Sequence, residues 1–486
     1  MLFGDTMRKS KVTTPNKMYN DGDQMRQKSS PAKGPLLDPR SPFRRDYARL
    51  IHAPCFRRLQ GKTQLFPGEE SDFFRNRLTH SLEVSQVATG IALRLNQELE
   101  TRGIEKIDLD LVATAALAHD LGHPPFGHNG ERALDDFMKE MGGFEGNAQT
   151  LRILSKIEKR DLADTYIDPI QSGKDGRLGL NLTYRTYAAV LKYDQLIKPF
   201  RRKPERLEKG YYKSEEALVQ EIKKHVNGAV RGEPLKTIEC QIMDIADDIA
   251  YSTYDLEDAM KGGFLSLLSL HNCLYDAGQN LLIKIVEKVK KACKEDYGDS
   301  VTANDVREGL KKLTKELFNE SHLTDLKDDY PRLIASVSRL NTKFCSNGYV
   351  RTSLSSMLVD RFVQAVQLEI NKDRPSLSKA CLRKEERIQV EVLKQMAYTS
   401  VIESPSLKIS EARGYEIVSG LFERLSRPDG LTLLPDDARE LYEGLHEKSE
   451  KMRVICDFIA GMTDRYAVEL YSRLHSVNPQ SIFRPV

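Results

Sequence analysis

The stretch from Leu109 to Ala118 reads Leu-Asp-Leu-Val-Ala-Thr-Ala-Ala-Leu-Ala and runs straight into His119-Asp120-Leu121-Gly122-His123-Pro124-Pro125. A helix of that composition is apolar around most of its circumference, so it belongs at the centre of a helical core. Gly and Pro then end it. Successive helical residues are separated by about 100°. His119 and Asp120 therefore converge on one point only where the backbone turns out of the helix, as Gly122 and Pro124 permit.

The surrounding pattern predicts a mainly α protein. Apolar positions fall at helical spacing over Arg44–Leu59, Leu78–Leu95, Ala217–Val226 and Ile238–Met260. The same holds for Leu265–Cys293, Asp305–Phe318, Met357–Ile370, Arg383–Tyr398, Ala412–Leu425 and Asp436–Leu474. Strand signals are sparse and no internal repeat is evident. With 486 residues the chain exceeds one ordinary core. The expected organisation is a mobile arm over 1–40, rich in Lys, Asn, Ser, Pro and Gly, a catalytic core over 41–270 and a C-terminal helical lobe over 271–486.

A net charge of +3 gives no global case for nucleic acid, and Arg201-Arg202-Lys203 and Lys288–Lys294 read as local basic clusters. Seven cysteines, odd in number and never spaced as C-x-x-C, exclude a disulfide framework or a zinc–thiolate site. No apolar run approaches the ~18 residues of a membrane span, and no signal-peptide pattern is present, so the expectation is a cytoplasmic protein without a membrane partner.

His80, His119, His123 and His128 account for four of the ten histidines. Imidazole together with carboxylate suits Mn, Fe, Ni, Co or Zn, or Mg where carboxylate and water dominate. A further carboxylate is expected from residues 241–258. There Ile242, Ile245, Ala246, Ile249 and Ala250 form a buried stripe, with Asp247 beside it and Tyr251 and Asp255 four and eight residues on, along one helix face. A carboxylate so placed is costly unless paired or coordinated. Asp248 competes with Asp247 for the role.

These residues carry a resemblance. The pattern of His80, His119-Asp120 and a later Asp, with His-Asp-Leu-Gly-His-Pro-Pro-Phe-Gly-His over 119–128, resembles the HD superfamily. More narrowly, it is similar to the deoxyguanosinetriphosphate triphosphohydrolase family, through Phe56–Gln64, Arg77–Val84, Phe144–Gln149, Leu182–Thr186 and the Asp247 segment. The resemblance covers roughly residues 40 to 262, and more weakly the C-terminal half. It implies an HD-domain helical core and one divalent metal, Mn²⁺ or Mg²⁺ foremost, held by His80, His119, Asp120 and Asp247. Tyr251 would pack against a deoxyribose, Asp255 and Gln60 would bond its 3′-hydroxyl, and Arg77, Lys192 and Tyr193 would contact the phosphates. A tyrosine beside C2′ gives a physical reason to reject ribonucleotides. Asp248 stands where some relatives place a phosphate-binding lysine, so positive charge has to come from elsewhere; Arg413 is a candidate nucleotide contact.

The expected reaction is hydrolysis of dGTP to deoxyguanosine and triphosphate, by water attack at the α-phosphorus. His128 is the candidate general acid, with Glu131 orienting its ring and raising its pKa, and His123 a second donor to the phosphates. The alternatives are a broad dNTP triphosphohydrolase, another HD enzyme such as a phosphodiesterase or 5′-nucleotidase, and a nucleotide- or single-stranded-DNA-binding HD regulator. The resemblance also implies a homo-oligomer, commonly a hexamer, that responds to nucleotide or single-stranded DNA.

Overall fold

A computed structural model describes residues 17–29, 39–64, 74–163, 168–171, 174–202, 205, 207–230, 232–265, 279–318, 330–402 and 405–475. Its elements, in chain order, are mainly helices: α1 (Pro42–Ile51), α2 (Arg77–Thr101), α3 (Leu109–Ala118), α4 (Gly127–Met138), α5 (Gly146–Arg152), α6 (Tyr184–Val190) and α7 (Ile238–Lys261). Then come α8 (Gln279–Tyr297), α9 (Ala303–Phe318), α10 (Gly348–Gln364), α11 (Lys384–Ile402), α12 (Pro405–Leu425), α13 (Asp436–Gly444), α14 (Lys448–Ala460) and α15 (Asp464–His475). The helices Glu216–His225 and Tyr330–Ser346 and the shorter connecting helices are left unlabelled.

The Ala-rich segment is the central helix the sequence required. In α3, Leu111, Val112 and Thr114–Ala118 are all buried, and α1, α2 and α7 pack around it. Small Ala side chains let those neighbours approach closely. Side-chain oxygens satisfy the orphan N–H groups at the helix starts: Asn76 accepts from Thr79 before α2, Asp108 from Leu111 before α3, and Thr237 from Cys240 before α7.

The buried apolar residues do not divide at 270. One core runs from Met18 to Ala397, because α11 packs along α7 and joins the catalytic helices. A second core joins Ala133, Leu134, Met138 and Phe144, in and after α4, to residues from Ile417 to Ala467. The C-terminal helices α12 and α14 thus close directly over α4.

Other expectations need correction. Residues 17–29 of the expected mobile arm are packed: the Tyr19 hydroxyl donates to Glu239 Oε1 at 2.8 Å, Asp23 is fully buried, and Arg26 pairs with Asp46. The rest of that arm up to residue 38 lies outside the described residues. The expected helix over Met357–Ile370 becomes the end of α10 followed by strand β1 (Val366–Glu369), paired antiparallel with β2 (Lys379–Leu382). Val366 and Leu368 are buried while Gln367 and Glu369 are exposed, an alternation only a strand satisfies. The run from Asp436 to Leu474 breaks into α13, α14 and α15 at residues 445–447 and 461–463. Of the expected helix from Leu265 to Cys293, residues 266–278 lie outside the described residues. Arg201 is buried against Asp135 while Arg202 is exposed, and Lys203 lies outside the described residues. Among the described residues no helix is long and apolar enough to cross a membrane, and the described cysteines are all free.

Candidate active site

The end of α3, the start of α2 and the middle of α7 meet at one point. His80 Nε2 lies 3.2 Å from Asp247 Oδ1, and His119 Nε2 lies 3.5 Å from the same oxygen and 3.6 Å from Asp120 Oδ1. His119 Nδ1 sits 2.6 Å from the Ala116 carbonyl, so that nitrogen carries a proton and Nε2 is turned toward the carboxylates. One ligand atom from each of His80, His119 and Asp247 falls within 4.8 Å of the others, a group able to hold a metal ion.

Two observations show that this donor set fits a cation. His119 Nε2 is buried without a hydrogen-bond partner. Burial alone would lower the His119 pKa, yet the Asp120 and Asp247 carboxylates outweigh it and hold it up at about 9. The pocket therefore demands positive charge. Two imidazoles and a carboxylate match first-row divalent metals.

Asp120 stands beside the three grouped ligands. Its Oδ2 accepts from Arg77 at 2.6 Å and its Oδ1 lies 3.3 Å from His123 Nε2. Burial opposes its ionisation, but Arg77 and the histidines hold it well below the usual carboxylate range. The neighbouring aspartates point in different directions. Asp247 faces the histidines, whereas Asp248 turns toward α11 and accepts from Arg387 at 2.8 Å and Lys394 at 2.6 Å.

The group opens on a cavity of about 760 Å³ lined by residues from both halves of the chain. Of the candidate site residues, Arg77, His123, His128, Lys192, Tyr193 and Tyr251 line it. Lys192 is paired with Asp244 at 2.8 Å, and Tyr193 accepts from Lys209 at 3.3 Å. His128, its side chain 79% exposed, has Nδ1 3.0 Å from Glu131 Oε2, while Glu131 Oε1 accepts from the Gly146 N–H at 2.8 Å. Burial would raise the Glu131 pKa, but His128, then His123, bring it to about 2. Glu131 therefore stays ionised. Burial, then Arg77, lowers His123 to about 3, so that ring is neutral.

Three expected contacts are not at the cavity wall. Gln60 is exposed and does not line it. Gln64 lines it instead, with its Oε1 buried and unpartnered, and the one-turn displacement within the Phe56–Gln64 block explains the miss. Asp255 is buried behind the lining with both carboxylate oxygens unpartnered; burial pushes its pKa up to about 7 despite His80. Arg413 is exposed, pairs with Glu416 at 3.1 Å and lies over Tyr471. The sequence reading also missed Lys236, Lys379, Arg387, Lys394 and Tyr398 in the lining. Arg387, Lys394 and Tyr398 lie on the helix α11 far along the chain, Lys236 just before α7 and Lys379 at the start of β2.

An HD-domain family profile matches residues 77–180, which carry His80, His119 and Asp120, and a phosphohydrolase-associated domain profile matches 380–473. Together they define an HD-domain hydrolase. The chain is 43% identical to deoxyguanosinetriphosphate triphosphohydrolase-like protein 2 of Mesorhizobium japonicum, over 96% of this chain and 100% of that one. It is 32% and 33% identical to the deoxyguanosinetriphosphate triphosphohydrolase-like proteins of Shewanella baltica and Shewanella woodyi, in each case over 90% of this chain and 93% of the relative. The chain belongs to the deoxyguanosinetriphosphate triphosphohydrolase-like family.

Proposed function

We propose that this protein hydrolyses a deoxynucleoside triphosphate, dGTP foremost, to the deoxynucleoside and triphosphate. The observation that carries the reading is the juxtaposition in one cavity of the His80–His119–Asp247 group with His128 and with cationic side chains from α2 and α11. Its volume of about 760 Å³ lies within the range usual for small-molecule sites. A divalent ion held by His80, His119, Asp120 and Asp247 would supply Lewis-acid polarisation of an α-phosphoryl oxygen and a water of lowered pKa.

The protein's own groups do the rest. Water adds to the α-phosphorus, the bond from phosphorus to the 5′-oxygen breaks, and its electron pair stays on that oxygen. An alkoxide leaves poorly, so His128 donates the proton, with Glu131 holding Nδ1 and thereby aiming the ring. Arg77 binds the phosphate chain while keeping Asp120 ionised, and neutral His123 donates to it. Lys192 and Tyr193 lie further along the same wall.

Arg387 and Lys394 answer the question raised by Asp248. Where a lysine next to the Asp ligand would be a direct cation, Asp248 instead holds two cations from α11 at the cavity wall. Tyr251 flanks the deoxyribose, Gln64 reaches its 3′-hydroxyl in the role expected of Gln60, and Asp255 supports that end from behind.

The test is chromatographic product analysis with each of the four dNTPs and GTP in the presence of manganese. Deoxyguanosine with intact triphosphate, and no turnover of GTP, is the expected result. Turnover of all four dNTPs would replace dGTP with a broad substrate range. Monophosphate with pyrophosphate would overturn the assignment.

A further inference from the structure

The turn that carries His123 and His128 is held in a strained shape from outside the HD domain. Phe126 has φ 61° and ψ 23°, and Gly127 follows with φ 56°. Two successive left-handed residues, one of them a bulky aromatic, do not persist unless their surroundings impose them. Gly127 tolerates the conformation for want of a Cβ; Phe126 has no such excuse.

What imposes it comes from the C-terminal helices. Asp464, the first residue of α15, accepts the Phe126 N–H on Oδ1 at 3.0 Å and the Thr63 N–H on Oδ2 at 2.9 Å. Next to Thr63, the buried Lys62 ammonium donates to the His123 carbonyl at 2.5 Å and to the Ala460 carbonyl, at the end of α14, at 2.9 Å. On the other side, Gly414 of α12 leaves room for the Phe126 side chain, since a Cβ there would lie 2.7 Å from Phe126 Cβ. The turn between Asp120 and His128 is thus pinned at its N–H by α15, against its side chain by α12, and at its carbonyl by Lys62, which is itself tied to the end of α14.

We infer that Asp464 is a positioning residue for the reaction: with Lys62 and Gly414 it clamps the 123–128 turn, and so sets where His128 stands over the cavity. Asp464 is not a lining residue of that cavity, so it acts through the two segments it holds, the 123–128 turn and Thr63 at the cavity wall. The inference rests on the reading of His128 as proton donor, and it gives the C-terminal helices a task beyond covering the second core. It also explains why the α4 end of the site packs against them.

The experiment has two arms. Amide hydrogen exchange across residues 121–130 is compared between wild type and Asp464→Ala, and kcat and KM for dGTP are measured for wild type, Asp464→Ala, His128→Ala and the double variant. Exchange in the turn should rise while exchange in α3 stays unchanged. The kcat of Asp464→Ala should fall about 10²-fold, the cost of a misplaced catalytic group, with KM within about threefold and metal content unchanged. The double variant should be no slower than His128→Ala alone, because both changes remove the same interaction.

Unchanged exchange in the turn overturns the clamp even if wild type turns over no dNTP, so this arm is separate from the function reading. Losses that multiply in the double variant would make Asp464 merely structural. Should Asp464→Ala fold poorly, Gly414→Ala leaves every donor and acceptor in place and pushes only on Phe126. It should lower kcat in the same way, and an unchanged kcat overturns the inference.

Discussion

The protein buries charge in two neighbouring places to opposite effect. Arg152, at the end of α5, bonds both oxygens of Asp457 through Nε, at 3.1 and 2.9 Å, and reaches Glu215 Oε1 at 3.1 Å and Ser214 at 3.2 Å. Both carboxylates are buried with it, and the guanidinium keeps no unpartnered nitrogen. At the other place, two carboxylates and two imidazoles crowd together with His119 Nε2 and His80 Nδ1 unpartnered, and the group faces a cavity. Burial of charge is common to both. Only the second has unspent ligand atoms and an opening, and that difference marks a site rather than a staple.

Five substitutions probe the contrast. The largest effect is expected of His119→Ala: loss of bound metal by elemental analysis, and a fall in turnover of at least about 10³-fold. Retained metal would break the assignment of His119 as a ligand. His128→Ala should lower kcat by about 10²–10⁴-fold while metal content stays at the wild-type level, separating proton donation from metal binding. Arg152→Ala should do the reverse. By urea denaturation it should cost about 3–5 kcal/mol of stability, because two buried carboxylates lose their partner, yet the folded fraction should bind metal normally.

The smallest effect compares two glutamines of one sequence block. Gln64→Ala should raise KM for dGTP by about tenfold, the worth of one hydrogen bond, whereas Gln60→Ala should stay within about twofold. Equal effects would return the sugar contact to Gln60.

Much of this was legible in the chain. The Ala-rich run from Leu109 could only be a central helix, and α7 follows the apolar stripe from Ile242 to Ala250. His80, His119 and Asp247 converge as expected, because each lies on or at the end of a long, well-capped helix whose face is fixed by its apolar pattern.

What escaped the reading depends on tertiary contact. Nothing local distinguishes Arg387 and Lys394 from other basic residues of an amphipathic helix; α11 brings them to Asp248. Gln60 and Gln64 differ by little more than one turn, a displacement that repeating Arg, Gln and Lys residues do not resolve. Val366–Glu369 was hidden because a four-residue alternation is short beside the helical pattern that precedes it. The expected boundary at 270 does not coincide with a break in the buried core, because α11 lies beyond it in sequence but packs into the first core in space.

Whether water attacks the α-phosphorus and expels the 5′-oxygen can be read by running the reaction in ¹⁸O-labelled water with manganese and analysing both products by mass spectrometry. Label in the triphosphate, with unlabelled deoxynucleoside, is the expected result. Label in the 5′-hydroxyl of the deoxynucleoside, or in a monophosphate released beside pyrophosphate, would contradict it.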